Sequence, residues 1–207
     1  MIRVKSGFGP VALAVLVLAS AAPAFAQRVD AGINYGVTYP TGPGLSTDRG
    51  IGWVFQFTPR SGWGFAGGLS WFGITVDAAT FAGVPGRLGR LNVRPLMGGA
   101  GYTVLRGRAA TTFSVVGGPS INTLHLDGAI RDRVSQVGQS KVGVWGLAVR
   151  PGVSLTYTVA KRLDLVGFGG YIVNRPKITL RTPAGDIEGR WKTDSVIVNA
   201  GVALRLF

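Results

Sequence analysis

The sequence predicts an all-β chain: an eight-stranded antiparallel up-and-down transmembrane β-barrel behind an N-terminal signal peptide. Three observations carry this. Apolar residues recur at every second position, and after the first 26 residues no segment keeps a helical period over three turns. The connections between these segments alternate long and short. The positions that alternate with the apolar ones are small or polar and lack the Lys and Glu of a water-facing sheet, so the large apolar side chains face outward. Composition agrees: 46% hydrophobic with only 15% charged residues is too apolar for disorder and low in charge for a soluble surface.

Residues 1–26, "MIRVKSGFGPVALAVLVLASAAPAFA", read as a secretory signal. Arg3 and Lys5 precede an apolar run from Val11 to about Ala19, and the segment closes on Ala24-Phe25-Ala26. Small residues at Ala24 and Ala26 predict cleavage after Ala26. Residues 27–207 then form one barrel domain.

Eight strand segments follow in order. "RVDAGINYGVTYP" sets Val29, Ala31, Ile33, Tyr35, Val37 and Tyr39 against Arg28, Asp30, Gly32, Asn34, Gly36 and Thr38. "IGWVFQFTP" sets Ile51, Trp53, Phe55 and Phe57 against Gly52, Val54, Gln56 and Thr58. "WGFAGGLSW" sets Trp63, Phe65, Leu69 and Trp71 against Gly64, Ala66, Gly68 and Ser70. The fourth segment runs from Leu88 to Val104, the fifth from Ala110 to Thr123, the sixth from Val142 to Val159 and the seventh from Leu163 to Val173. "SVIVNAGVALRLF" is the eighth. The turns "PRSG", "LRGR" and "AKR" are short, whereas "TGPGLSTDRG", "GITVDAATFAGVPG", "HLDGAIRDRVSQVGQS" and the stretch from Arg175 to Arg190 are long. Long loops therefore leave one end and tight turns the other.

Trp53, Trp63, Trp71, Trp145, Tyr157 and Tyr171 fall on the apolar face near strand ends, as aromatic girdles require. A closed sheet in lipid pairs its backbone groups and has no edges, so the absence of cysteine is no handicap.

Charges at lipid depth are costly, so Asp30, Arg94, Arg150, Asp164 and Arg205 are expected inside the barrel. Arg205, Asp30 and Asp164 are expected to form an ion-pair cluster at the turn end. In the fourth strand the apolar parity changes from Leu91 and Val93 to Leu96, Ala100 and Tyr102, which predicts a β-bulge at Arg94-Pro95. In the sixth strand parity holds from Trp145 to Tyr157, so Pro151 is expected to face lipid without a register change.

With its signal peptide, strand number, alternating loop lengths and terminal "GVALRLF", the chain resembles the OmpA/OmpX/OmpW-type outer-membrane β-barrel proteins of Gram-negative bacteria. The resemblance covers residues 27–207 and implies export through the periplasm to the outer membrane, without a separate periplasmic domain. It implies that the last strand pairs with the first and that terminal Phe207 serves the outer-membrane assembly machinery as a recognition tag. Phe207 has the parity of inward Arg205, so either a bulge near Arg205 brings it outward or Leu206 takes the lipid-facing role. Expected partners are outer-membrane lipids and lipopolysaccharide, and a monomer is expected.

Other chemistries find little support. "GWGFAG" (Gly62, Gly64, Gly67) matches a dinucleotide fingerprint, but it lies within a strand and no helix follows. One histidine and no cysteine make no metal site. The formal charge of +13 is spread over turns and loops without an aromatic-lined basic stripe, so nucleic acid is not a partner. No cofactor is implied and no catalytic residue is assigned. The expected role is structural or surface-interacting. Three alternatives stay open: a narrow pore or conduit with Arg94 and Arg150 in its lining, a lipid-modifying enzyme using Ser120 and His125 beside Asp127, and a soluble periplasmic ligand-binding β-barrel.

Overall fold

A computed structural model describes residues 27–77, 86–128, 141–182 and 185–206. The signal segment with Ala24 and Ala26, residues 78–85, 129–140 and 183–184, and Phe207 lie outside the described residues. The strands are β1 (Gln27–Pro40), β2 (Leu45–Ser46), β3 (Asp48–Pro59), β4 (Gly62–Ser70), β5 (Phe72–Asp77), β6 (Arg87–Arg106), β7 (Ala109–Leu126), β8 (Lys141–Ala160), β9 (Leu163–Asn174), β10 (Lys177–Thr182), β11 (Gly185–Arg190) and β12 (Ser195–Arg205). β4 and β5 form one staggered wall strand broken at Trp71, and β10 and β11 form a hairpin of their own. The remaining order, β6-β4-β3-β1-β12-β9-β8-β7 with β7 returning to β6, closes a ring of eight antiparallel strands.

Closure runs through the chain ends. β1 pairs with β12 from Asp30↔Arg205 to Pro40↔Ser195, and β12 pairs with β9 from Ser195↔Ile172 to Leu204↔Leu163. The Leu206 amide donates to the Val29 carbonyl at 2.9 Å, so the last described residue is still tied to the first strand. Even-numbered residues of β1 and β3 point inward and odd-numbered ones outward, as the alternation requires. The outward set forms the belt: Trp63 is 79% exposed, Leu147 78%, Ile51 78%, Trp53 66% and Trp145 56%. In water such a continuous apolar surface would be untenable; against lipid it is the ordinary exterior of a membrane barrel.

Two expectations fail at the loop end, for one reason. No bulge forms at Arg94-Pro95. The β6–β7 ladder keeps one register from Gly89↔Leu126 through Pro95↔Ser120 and Gly98↔Gly117 to Arg106↔Ala109, skipping only Leu96 and Met97. Opposite that gap, Pro119 has no N–H to donate. Likewise the third strand does not stop at Trp71. β5 carries it on in the same register against β6, with Leu69↔Leu96 below the break and Phe72↔Val93 above it. The apolar parity changes because the interior changes. Ile74, Val76, Leu91, Val93 and Leu124 point inward and form a buried apolar core with Leu88, Leu126 and Trp191. A small, polar interior along the whole length does not hold: inward apolar residues at the loop end account for both the parity change and the apolar stretch after Trp71. In β8, Pro151 is exposed on the lipid face, and the register is the same on either side of it.

The wall has a weak seam between β3 and the β4–β5 strand. The β3–β4 ladder covers only Val54–Phe57 against Gly67–Ser70. Above it, among the described residues, no ladder joins β3 to β5; the Arg90–Asp48 ion pair at 2.7 Å crosses the gap instead.

Candidate functional site

The inward residues fill the bore in layers. At the turn end, β1, β9 and β12 bring Arg28, Asp30, Asp164 and Arg205 together. Arg28 Nε donates to both Asp30 carboxylate oxygens at 2.9 and 2.8 Å, and its Nη2 is paired with Asp164. Arg205 Nη2 donates to Asp164 Oδ1 at 2.8 Å and to Thr158 Oγ1. Both carboxylates are fully buried. Two cations against two anions leave the quartet neutral, which is what makes burial at this depth tolerable. The inward parity of Arg28 is legible in the sequence, but its role as the bridge between two carboxylates on different strands is not. Below the quartet lies a hollow of about 420 Å³, lined by threonines of β3, β6, β7 and β8 together with Arg28 and Arg205.

At mid-height, Arg150 points inward from β8. Its guanidinium carbon stands 4.4 Å from the centre of the Phe168 ring, and Nη1 donates to Ser70 Oγ at 3.4 Å. The hollow left around Arg150 and Phe168 is about 30 Å³, space for on the order of one or two waters. Arg150 therefore obstructs the bore.

Nearer the loops, Ser120, Asn122 and Asn174 close a buried polar triangle. Ser120 Oγ donates to Asn174 Oδ1 at 2.8 Å, Asn122 Nδ2 donates to Ser120 Oγ at 2.9 Å, and Asn174 Nδ2 donates to Asn122 Oδ1 at 2.8 Å. The apolar core packs beside it. The segment before β12 turns in over both: Trp191 is 5% exposed, and the Asp194 carboxylate accepts from the Asn174 amide and from Arg175 Nη2, each at 3.1 Å.

The five interior charges expected from the sequence divide four to one. The structure places Asp30, Arg150, Asp164 and Arg205 inside, although Arg205 pairs with Asp164 while Asp30 is held by Arg28. Arg94 is on the outer face. Its ladder partner is Ile121, which pairs in turn with outward Trp145, and its guanidinium carbon lies 4.1 Å from the Trp71 ring centre. The bulge that would have turned Arg94 inward is absent. Arg94 therefore lines no bore, and the anion-leaning pore loses half of its proposed lining. Ser120 and His125 lie on opposite faces of β7, with Ser120 fully buried inside and His125 outward beside Arg90 and Lys141 in the ladder. They form no nucleophile–base pair. Among the described residues no His, Cys, Asp and Glu cluster could hold a metal ion.

No protein-family model matches the chain, and no curated protein matches it in sequence. Solved structures do match it in shape. Outer membrane protein W of E. coli aligns at a TM-score of 0.50 with 14% identity, over 87% of this chain and 98% of that one. Neisserial surface protein A aligns at a TM-score of 0.47 with 16% identity, over 87% and 97% of the two chains. A major outer membrane protein of Thermus thermophilus aligns at 0.45 with 14% identity, over 85% and 99%. At such identities it is the fold that is shared, and the match to protein W, the ring of strands and the apolar belt agree on it: the chain has the eight-stranded outer-membrane β-barrel fold.

Proposed function

We propose that this barrel is a closed, non-catalytic scaffold of the outer membrane that holds its long loops at the cell surface. One observation supports this above all: the bore is blocked in successive layers by the Arg28–Asp30–Asp164–Arg205 quartet, by Arg150 against Phe168, and by the apolar core under Trp191. Eight strands enclose just enough room for such filling. A rigid wall with loops at one end presents variable segments at fixed positions.

Planar-bilayer recordings on purified protein test the reading. The expected outcome is a silent barrel. Reproducible conductance across preparations would assign the conduit role instead, and a rise in conductance on replacing Arg150 by Ala would show where the bore is shut.

A further inference from the structure

Arg94 is the anomaly of the wall. A guanidinium on the lipid face costs free energy unless it reaches an anion or the interface. It is held over Trp71, and its Nε is buried without a hydrogen-bond partner. Below it an apolar trough of about 680 Å³ runs down the outside of the wall, from Trp71 and Arg94 at the loop end, past Trp53 and Leu69, to Leu204 and Leu163 beside the turn end. Trp71 also borders a second hollow of about 200 Å³ at the seam, which Arg49 and Arg90 line. The carboxylate that lines this second hollow, Asp48, is committed to Arg90 at 2.7 Å.

We propose that this sector is a docking site for a phosphate-bearing lipid of the outer leaflet, with the phosphate on Arg94 and an acyl chain along the trough. The proposal rests on the reading that the barrel spans the outer membrane with its loops outside. The occupant must come from the bilayer, because the trough opens sideways onto the apolar belt through exposed Trp53, Leu69 and Leu204. The headgroup must be an anion able to take charge-assisted hydrogen bonds, because the Arg94 guanidinium borders the trough with Nε unbonded. Its level follows from the trough's direction: Arg94 stands at its loop-side end, toward the outer-leaflet headgroups.

The test uses native mass spectrometry of the full chain in micelles, titrated with a bisphosphorylated acylated glycolipid, its dephosphorylated form, and oleate. The expected result is at least about tenfold tighter retention of the phosphorylated lipid than of either other probe, lost to a similar extent in Arg94→Gln and in Trp71→Leu. Equal retention of phosphorylated and dephosphorylated lipid, preference for oleate, or unchanged binding in Arg94→Gln that still shows a heat-modifiable gel shift would each overturn the site. The comparison of probes on the unaltered chain holds even if a variant fails to fold. Recovery of the protein in the soluble periplasm would overturn the membrane reading, a different failure from a membrane barrel that shows no headgroup preference.

Discussion

Asp164 has two arginine partners and no exposure, a position in which a carboxylate cannot be removed quietly. Asp164→Ala leaves Arg205 without a counter-charge in the bore and Arg28 with Asp30 alone. A loss of about 3–5 kcal/mol is expected, read as a lower urea midpoint in refolding monitored by tryptophan fluorescence. Replacing Arg205 together with Asp164 should recover part of that loss, because the pair is then removed as a unit. The same scale decides which way β6 faces. Nitroxide labels at Leu91 and Val93 should be shielded from lipid-dissolved oxygen, and a label at Arg94 should be open to it. The reverse pattern would restore the bulge. The sequence named the charges but misplaced Arg94, because parity in a strand reports which residues share a face and not which face is inward.

Among the strands, those flanked by a plain alternation were readable almost to the residue. β1 and β9 extend the segments drawn from sequence by a residue or so, and the tight turns fall where "PRSG", "LRGR" and "AKR" stand. Outside the ring, the stretch from Arg175 to Arg190, expected as a loop, carries the β10–β11 hairpin; within the ring the failure falls on the wall made by β4, β5 and β6, where apolar residues occupy both faces. A strand buried in apolar surroundings on one side and lipid on the other has no polar face to declare its period. Gly68 matters there for a second reason. Its φ is +149°, a region that side-chain-bearing residues avoid, and a Cβ would run into the Phe55 carbonyl across the short β3–β4 ladder. Gly68→Ala is expected to cost about 1–3 kcal/mol. Because that ladder already ends at Val54↔Ser70, the damage should open the seam first. Hydrogen exchange of amides in β3 and β4 should quicken before those in β7 and β8, whose ladder runs unbroken from Ala109↔Tyr157 to His125↔Lys141.

At the scale of the molecule, stability comes from closure. Every wall strand is paired on both sides over at least part of its length, and the chain ends meet in the β1–β12 ladder. Unboiled protein should therefore migrate as a compact species on a denaturing gel and shift only on heating; absence of any shift would argue against a closed ring. What the sequence determined by itself was local and repetitive: the period of two, the alternation of loop lengths, the aromatic positions and the small residues between them. Those features specify an antiparallel meander whose large side chains face lipid, since each is set by neighbours one or two positions away. What only the tertiary structure decided depends on residues distant in the chain meeting across the bore or around the wall. Arg28 bridges carboxylates of β1 and β9, Arg150 is set against Phe168, the loop end of the bore is apolar, and Arg94 is left outside on Trp71. The physical reason is the shear of a closed barrel. It fixes which positions share a height only once all the registers are known together, and no single strand carries that information.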